Sequence, residues 1–256
     1  MHIVLVALIV SIGMNLVLFV PAYLYKTDKL TDLSYSATFI VVAVSSFLAS
    51  RRTAVQAVAL LLVLLWAVRL GGYLVFRIHK MRRDKRFDGM REDFWAFFRF
   101  WLYQGITVFA VLLASILLWE RKTTVINGVA VAGMVLFAIG LLLESAADVQ
   151  KYRFKQAGHS KTWIDSGVWR ICRHPNYLGE ILVWLGIYLF ALPSLTTASK
   201  LLALISPLFI ISILRFVSGI PLLEKSADQK WGTDKAYQAY KREVPLLLPT
   251  AASLRR

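Results

Sequence analysis

Residues 166–186, SGVWRICRHPNYLGEILVWLG, set a compact polar cluster directly against the start of an apolar run. Arg173, His174, Asn176, Tyr177 and Glu180 fall within eight positions. Polar groups at the edge of a bilayer are costly enough to be kept only for a use or a partner. Pro175 disfavours helix at the residue before it and cannot donate a backbone hydrogen bond, so a helix is expected to begin near Asn176. Its free amides would stand beside Arg173 and His174, a pairing suited to an anion such as phosphate. The alternative is that Asn176 is an N-cap only and Arg173 a headgroup anchor. Glu180 follows one turn later on the same face as Asn176, where it is a candidate acid or hydrogen-bond donor.

Outward from this stretch the chain reads as membrane protein. Of its 256 residues 58% are hydrophobic and 18% charged, with a mean hydropathy of +0.61, whereas soluble domains carry about 25% charged residues. A helix crosses a ~30 Å hydrocarbon core with about 20 apolar residues. Runs of that kind lie near 2–25, 33–50, 54–77, 95–119, 125–145, 177–193 and 201–223. The expected fold is therefore all-α, a polytopic membrane bundle of about seven transmembrane helices. Pro207 falls inside the seventh run and is expected to kink it. After it, 226–243 holds a short helix capped by Thr233 or Asp234, with Trp231, Tyr237 and Tyr240 suited to a membrane interface. No linker, low-complexity tract or internal repeat divides the chain, so 1–256 reads as one integral-membrane domain.

Charge assigns orientation. The segments after the first, third, fifth and seventh runs hold 2, 6, 6 and 7 Lys and Arg, 21 on one side, against 5 on the other. By the positive-inside rule the N-terminus is outside and the C-terminus cytosolic. The net charge of +15 is then mostly a cytosolic face turned to anionic lipid headgroups. That explanation is preferred to a nucleic-acid partner, and a phosphorylated soluble cofactor would also be drawn to such a face. The first run lacks a basic leader and a cleavage site and reads as a retained span. A single cysteine, Cys172, excludes an internal disulfide and a cysteine metal cluster. No metal site is expected. GxGxxG after a strand, GxxxxGK[ST] and HExxH are all absent, so any site must be built from span ends and loops.

Two further groups of residues carry chemistry. Glu144, Asp148, Lys151 or Tyr152, and Lys155 recur every three or four positions and so share one stripe of the helix leaving the fifth span. The two carboxylates need a counter-charge, a metal or hydroxyl donors. They either pair structurally, with Arg215 or a loop arginine, or bind a ligand. An Asp so placed can accept from ribose hydroxyls. In the third span Arg69, Tyr73 and Arg77 are spaced four apart on one face, with Gly71 and Gly72 allowing close approach. The Arg82, Arg83, Lys85, Arg86 cluster reads more readily as a topology signal than as a phosphate clamp. Gly133 and Gly140 read as helix packing.

These stretches resemble a known superfamily. ESAADVQKYRFK followed by GVWRICRHPNYLGE is similar to the C-terminal half of the membrane steroid 5-alpha-reductase and sterol reductase superfamily, in particular its branch catalogued as DUF1295. KTDKLTDLSYSATF, LLWAVRLGGYLVFRI, DKRFD and SGIPLLEKSADQKWGTDKAYQAYK resemble that branch in the same order, over roughly 25–249. The resemblance implies about seven spans, a cytosolic C-terminus, and NADPH bound in a cavity open to the cytosol by a C-terminal half of about 125–250. It makes Asp148 and Lys155 contacts to the cofactor. Arg173, His174, Asn176 and Tyr177 would hold its phosphates and nicotinamide side, with Arg77, Tyr237 and Tyr240 as further cofactor contacts. It implies reduction of a conjugated double bond in a lipid-soluble, steroid-like or isoprenoid substrate, with Tyr73 or Glu180 donating to the carbonyl. Steroid 5-alpha-reductases hold the ketone with a Gln-Glu pair, but here Gln56 is followed by Ala57, which departs from that pattern. Isoprenylcysteine carboxyl methyltransferases share RHPxYxG and a Glu near 224, which leaves an S-adenosylmethionine-dependent methyltransferase as the alternative. A non-catalytic lipid-binding protein on the same fold is the third.

Overall fold

The computed structural model describes residues 2–80, 87–158 and 162–254. Every regular element among them is helical: α1 His2–Leu24, α2 Lys29–Ala49, α3 Ala54–Lys80, α4 Phe94–Trp119, α5 Gly128–Gln156, α6 Pro175–Ala191, α7 Thr197–Ala203, α8 Ile205–Ser212, α9 Ile220–Trp231, α10 Lys235–Glu243 and α11 Ala251–Leu254. Seven helical stretches are long and apolar enough to cross a membrane, the seventh assembled from α7 to α9. The chain is a multi-pass integral membrane protein with the all-α architecture that hydropathy dictates. Its packing falls into two compact units, 1–133 with 187–206, and 134–186 with 207–256.

In the first unit α1, α2, α3 and α7 pack on α4, which is buried along most of its length from Phe97 to Trp119. The helices are joined by polar groups with no water to turn to. Gln104 Nε2 donates to Asn15 Oδ1 at 2.9 Å and to Ser34 Oγ at 2.7 Å. Asn15 Nδ2 donates to Thr38 Oγ1, and Ser11 Oγ to the Gly105 carbonyl at 2.7 Å. This network explains why α2 starts at Lys29 and not at 33: Thr31, Ser34, Ser36 and Thr38 are all buried, and hydropathy alone discounts polar residues whose partners lie on other helices. Gln56 is fully buried. Its Nε2 donates to the carbonyls of Leu118, Trp119 and Arg121, while its Oε1 accepts from Thr53 N and Ser50 Oγ. It ties the α2–α3 turn to the end of α4. Buried Arg91 bonds Asp28 at 3.3 Å and also pairs with Asp88.

In the second unit α5 and α6 cross in backbone contact. A Cβ on Gly140 would come 2.6 Å from the Gly179 carbonyl oxygen, and one on Gly179 would come 2.6 Å from the Glu144 amide nitrogen. Only glycine permits this approach. Of the two glycines expected to pack helices, Gly140 does so, and Gly179 is its partner. α5 runs to Gln156, past the end of its apolar run near 145, and carries Glu144 and Asp148 buried on the stripe the spacing predicts. α6 begins at Pro175, where the fixed φ of proline suits the first helical turn. Asn176 is therefore inside the helix and not its cap.

The seventh stretch is broken twice. α7 ends at Ala203, the residue whose carbonyl the Pro207 ring would strike in a continuous helix. A π-helical turn at Ile213–Val217 then closes with Ser218 N donating to the Ile213 carbonyl at 3.0 Å. Gly219 follows; a Cβ there would lie 2.6 Å from the Leu214 oxygen. The polar tail forms two helices, with α9 ending at Trp231 and α10 capped by Asp234, which accepts from Ala236 N and Tyr237 N. Thr233 does not serve.

Candidate functional site

Within the second unit a cavity of about 500 Å³ is walled by the end of α5, the segment 162–174, α9 and α10. Its volume lies in the ~300–1,000 Å³ range of small-molecule sites. Two side-chain types dominate the lining. Lys151, Lys155, Arg173 and Lys230 bring positive charge, and Trp163, Trp169, Trp231, Tyr237 and Tyr240 bring ring faces.

Local structure holds the rings in place. Trp169 Nε1 donates to the Ala147 carbonyl at 3.1 Å, and Val168 N donates to Gln150 Oε1 at 3.0 Å, which docks the 167–170 turn on α5. Gly167 adopts φ +59° with no room for a side chain against Gln150. Lys151 Nζ stands 4.9 Å from the Trp169 ring centroid, a cation–π distance. Trp163 packs on Tyr237 at 5.1 Å, Tyr240 at 6.1 Å and Trp231 at 6.2 Å between centroids. The Trp163 indole nitrogen is buried with no hydrogen-bond partner.

One carboxylate organises the charged wall. Glu224 accepts from Arg173 Nη1 at 2.5 Å, meets His174 Nε2 at 2.8 Å, and lies 3.4 Å from Lys241 Nζ. Lys241 also bonds Asp228 at 2.7 Å, and Arg173 N donates to the Pro245 carbonyl at 2.9 Å. His174 is 5% exposed, stacks on Tyr177 at 5.7 Å, and keeps its Nδ1 buried without a partner. Burial pushes the His174 pKa below the ordinary imidazole value, against the opposing pull of Glu224. Burial, then the Glu224 and Asp228 charges, push the Tyr237 phenol up to about 12. Burial also raises Tyr240, and lifts the Cys172 thiol to about 11. At neutral pH both phenols and the thiol are protonated and the imidazole is neutral.

A family model described as protein of unknown function (DUF1295) matches residues 18–244. The chain belongs to the DUF1295 family. No curated protein and no solved structure gives a significant match to it.

In this DUF1295 protein, the cavity lining takes in Lys151, Lys155, Arg173, His174, Trp231, Tyr237 and Tyr240 from the residues the sequence singles out. Asp148, Asn176, Tyr177 and Glu180 lie in the same unit outside the lining. Asp148 is buried on α5, one turn before Lys151. Asn176 Oδ1 is buried without a hydrogen bond. Tyr73 belongs to the first unit, on α3. The Arg77 side chain and the 82–86 basic cluster lie outside the described residues. Gln56 is committed to backbone partners. Among the described residues no group of three His, Cys, Asp or Glu side chains forms a metal site.

The sequence gives no sign of Lys230, Trp163 and Trp169 in the lining, it marks Trp231 only as an interface residue, and above all it does not disclose the role of Glu224. The Glu224/Asp228 spacing, one helical turn on α9, mirrors that of Glu144 and Asp148, and it was the available signal.

Proposed function

We propose that this protein is a membrane-embedded, NADPH-dependent reductase of a conjugated carbon–carbon double bond in a lipid-soluble substrate, with its cofactor site facing the cytosol. The charge imbalance of the cavity carries this reading: four cations line it against one carboxylate, Glu224. A polyanionic dinucleotide fits such a lining. S-adenosylmethionine, which is cationic at sulfur and carries no phosphate, fits it less well. The rings add flat faces on which adenine or nicotinamide can stack, and the Trp163 N–H is a buried donor still to be matched.

In this reading Lys151, Lys155 and Lys230 hold the phosphates, since Arg173 already bonds Glu224. Trp163, Tyr237 and Tyr240 hold a ring. When bound, the cofactor supplies a hydride. Burial keeps the Tyr237 and Tyr240 phenols protonated, so they act as hydrogen-bond donors and not as bases. Asp148, outside the cavity lining, is a cofactor contact by the family resemblance alone, which likewise implies Tyr73 or Glu180 as the proton donor. Breaking the Gln56 pattern, and its commitment to the α4 carbonyls, argues against a ketone held as in steroid 5-alpha-reductases.

A methyltransferase reading keeps one observation in its favour: Arg173 and His174 bind the Glu224 carboxylate, and a Glu near that position belongs to the methyltransferase pattern. Thermal unfolding of detergent-purified protein separates the two. Stabilisation by NADPH that is lost in Lys155→Glu supports the reductase. Preferential stabilisation by S-adenosylmethionine overturns it.

A further inference from the structure

The Glu224 carboxylate and the two atoms of the His174 ring are placed asymmetrically. Nε2 faces Glu224 Oε1 at 2.8 Å, and Nδ1 is buried with no partner. A carboxylate only accepts, so the bond requires the proton on Nε2. A neutral imidazole then has a bare lone pair at Nδ1, held away from water.

We infer that Glu224 is a positioning residue: it locks His174 in the Nε2–H tautomer and leaves Nδ1 as the acceptor of the ring. Burial and two cations oppose a second proton on the ring, against the pull of Glu224. Arg173 precedes it in the chain, Lys151 approaches from α5, and both cations disfavour an imidazolium. Lys241 on α10 spends its charge on Glu224 and Asp228, and Tyr177 covers a ring face. Glu224 also fixes Arg173 through Nη1 while Arg173 Nε stays buried and unmatched. Arg173 Nε and His174 Nδ1 are thus a donor and an acceptor held out of contact with water and without a protein partner. The tautomer stands whatever the ligand; its effect on NADPH binding rests on the reductase reading.

Selective ¹⁵N-histidine labelling tests the tautomer directly, because the chain has only four histidines and His174→Gln assigns the signal. At pH 7.5 the ligand-free protein should show a protonated Nε2 and an unprotonated Nδ1 for His174. An Nδ1–H tautomer or an imidazolium overturns the inference. In Glu224→Gln the amide can donate as well as accept, so a mixture of tautomers should replace the single one. NADPH binding should weaken about tenfold, the scale of a hydrogen bond to a charged group, and its acid limb should move. An unchanged His174 spectrum in Glu224→Gln also overturns it. If that variant fails to fold, the wild-type spectrum alone decides. The expected tautomer together with no NADPH binding leaves the inference standing and removes the reductase reading.

Discussion

The two units of this protein put their polar side chains to different uses. In the first, Asn15, Gln104, Ser34, Thr38 and Gln56 hydrogen-bond one another or backbone carbonyls. In the second, Lys151, Lys155, Arg173 and Lys230 line a cavity together with aromatic rings; buried polar atoms without a partner occur in both units, Trp101 Nε1 and Ser115 Oγ in the first, Trp163 Nε1 and His174 Nδ1 in the second. An unsatisfied buried polar atom costs about 1–3 kcal/mol. The difference teaches where to look for function: a cross-helix network holds the first unit together, while the second gathers cations and ring faces around a cavity.

Substitutions can break this contrast. The largest expected effect is at the α5–α6 crossing. Gly179→Ala puts a methyl group 2.6 Å from the Glu144 nitrogen and should cost about 3 kcal/mol through overpacking, read as a lowered thermal midpoint in detergent. Next comes the first-unit network. Gln104→Leu removes bonds to Asn15, Ser34 and the Thr31 carbonyl and should cost about 2 kcal/mol, near the upper end of membrane hydrogen bonds. NADPH affinity should not change, and a large loss of affinity there would erase the distinction between framework and site.

Lys155→Glu reverses the pattern, with thermal stability retained and NADPH affinity reduced about tenfold by an unfavourable charge in the lining. The loss should shrink as salt is added, and isothermal titration calorimetry at two ionic strengths checks it. The smallest effect is a pH dependence. His174 has its pKa lowered from 6.5 by burial, so the unfolded chain takes up this proton more readily than the folded one. Stability from this group is complete above pH 6.5 and declines as the pH falls below it. Unfolding midpoints between pH 7.5 and 5.5 should show the decline, and His174→Gln should flatten it.

Apolar length was enough to read seven spans, because a bilayer leaves the backbone few alternatives to helix. Pro207 located the break in the last span to within a few residues for the same local reason. The start of α2 is not legible because its polar residues are paired across helices, which hydropathy along one segment does not register, whereas the stripe from Glu144 to Lys155 carries α5 past its apolar run. At the site, Arg173 and His174 were legible from RHPNY, and Lys155 from its helical stripe. Their tie to Glu224 was not, since it spans 50 residues and depends on how α9 folds after the π-turn. Gln56 was noticed only for lacking its expected neighbour, and no local pattern announces three backbone acceptors more than 60 residues away.

The hydrogen bond from Arg173 N to the Pro245 carbonyl also sets an order of events during synthesis. The cavity draws its walls from residues 151 to 240, and its polar corner is fastened by residue 245. Helices α5 and α6 can enter the membrane and cross at their glycines while the ribosome is still at work. The pocket lacks a wall until Tyr240 has left the exit tunnel, and the bond to Pro245 fastens it afterwards, so a nascent chain stalled before α10 holds its spans without a complete cavity.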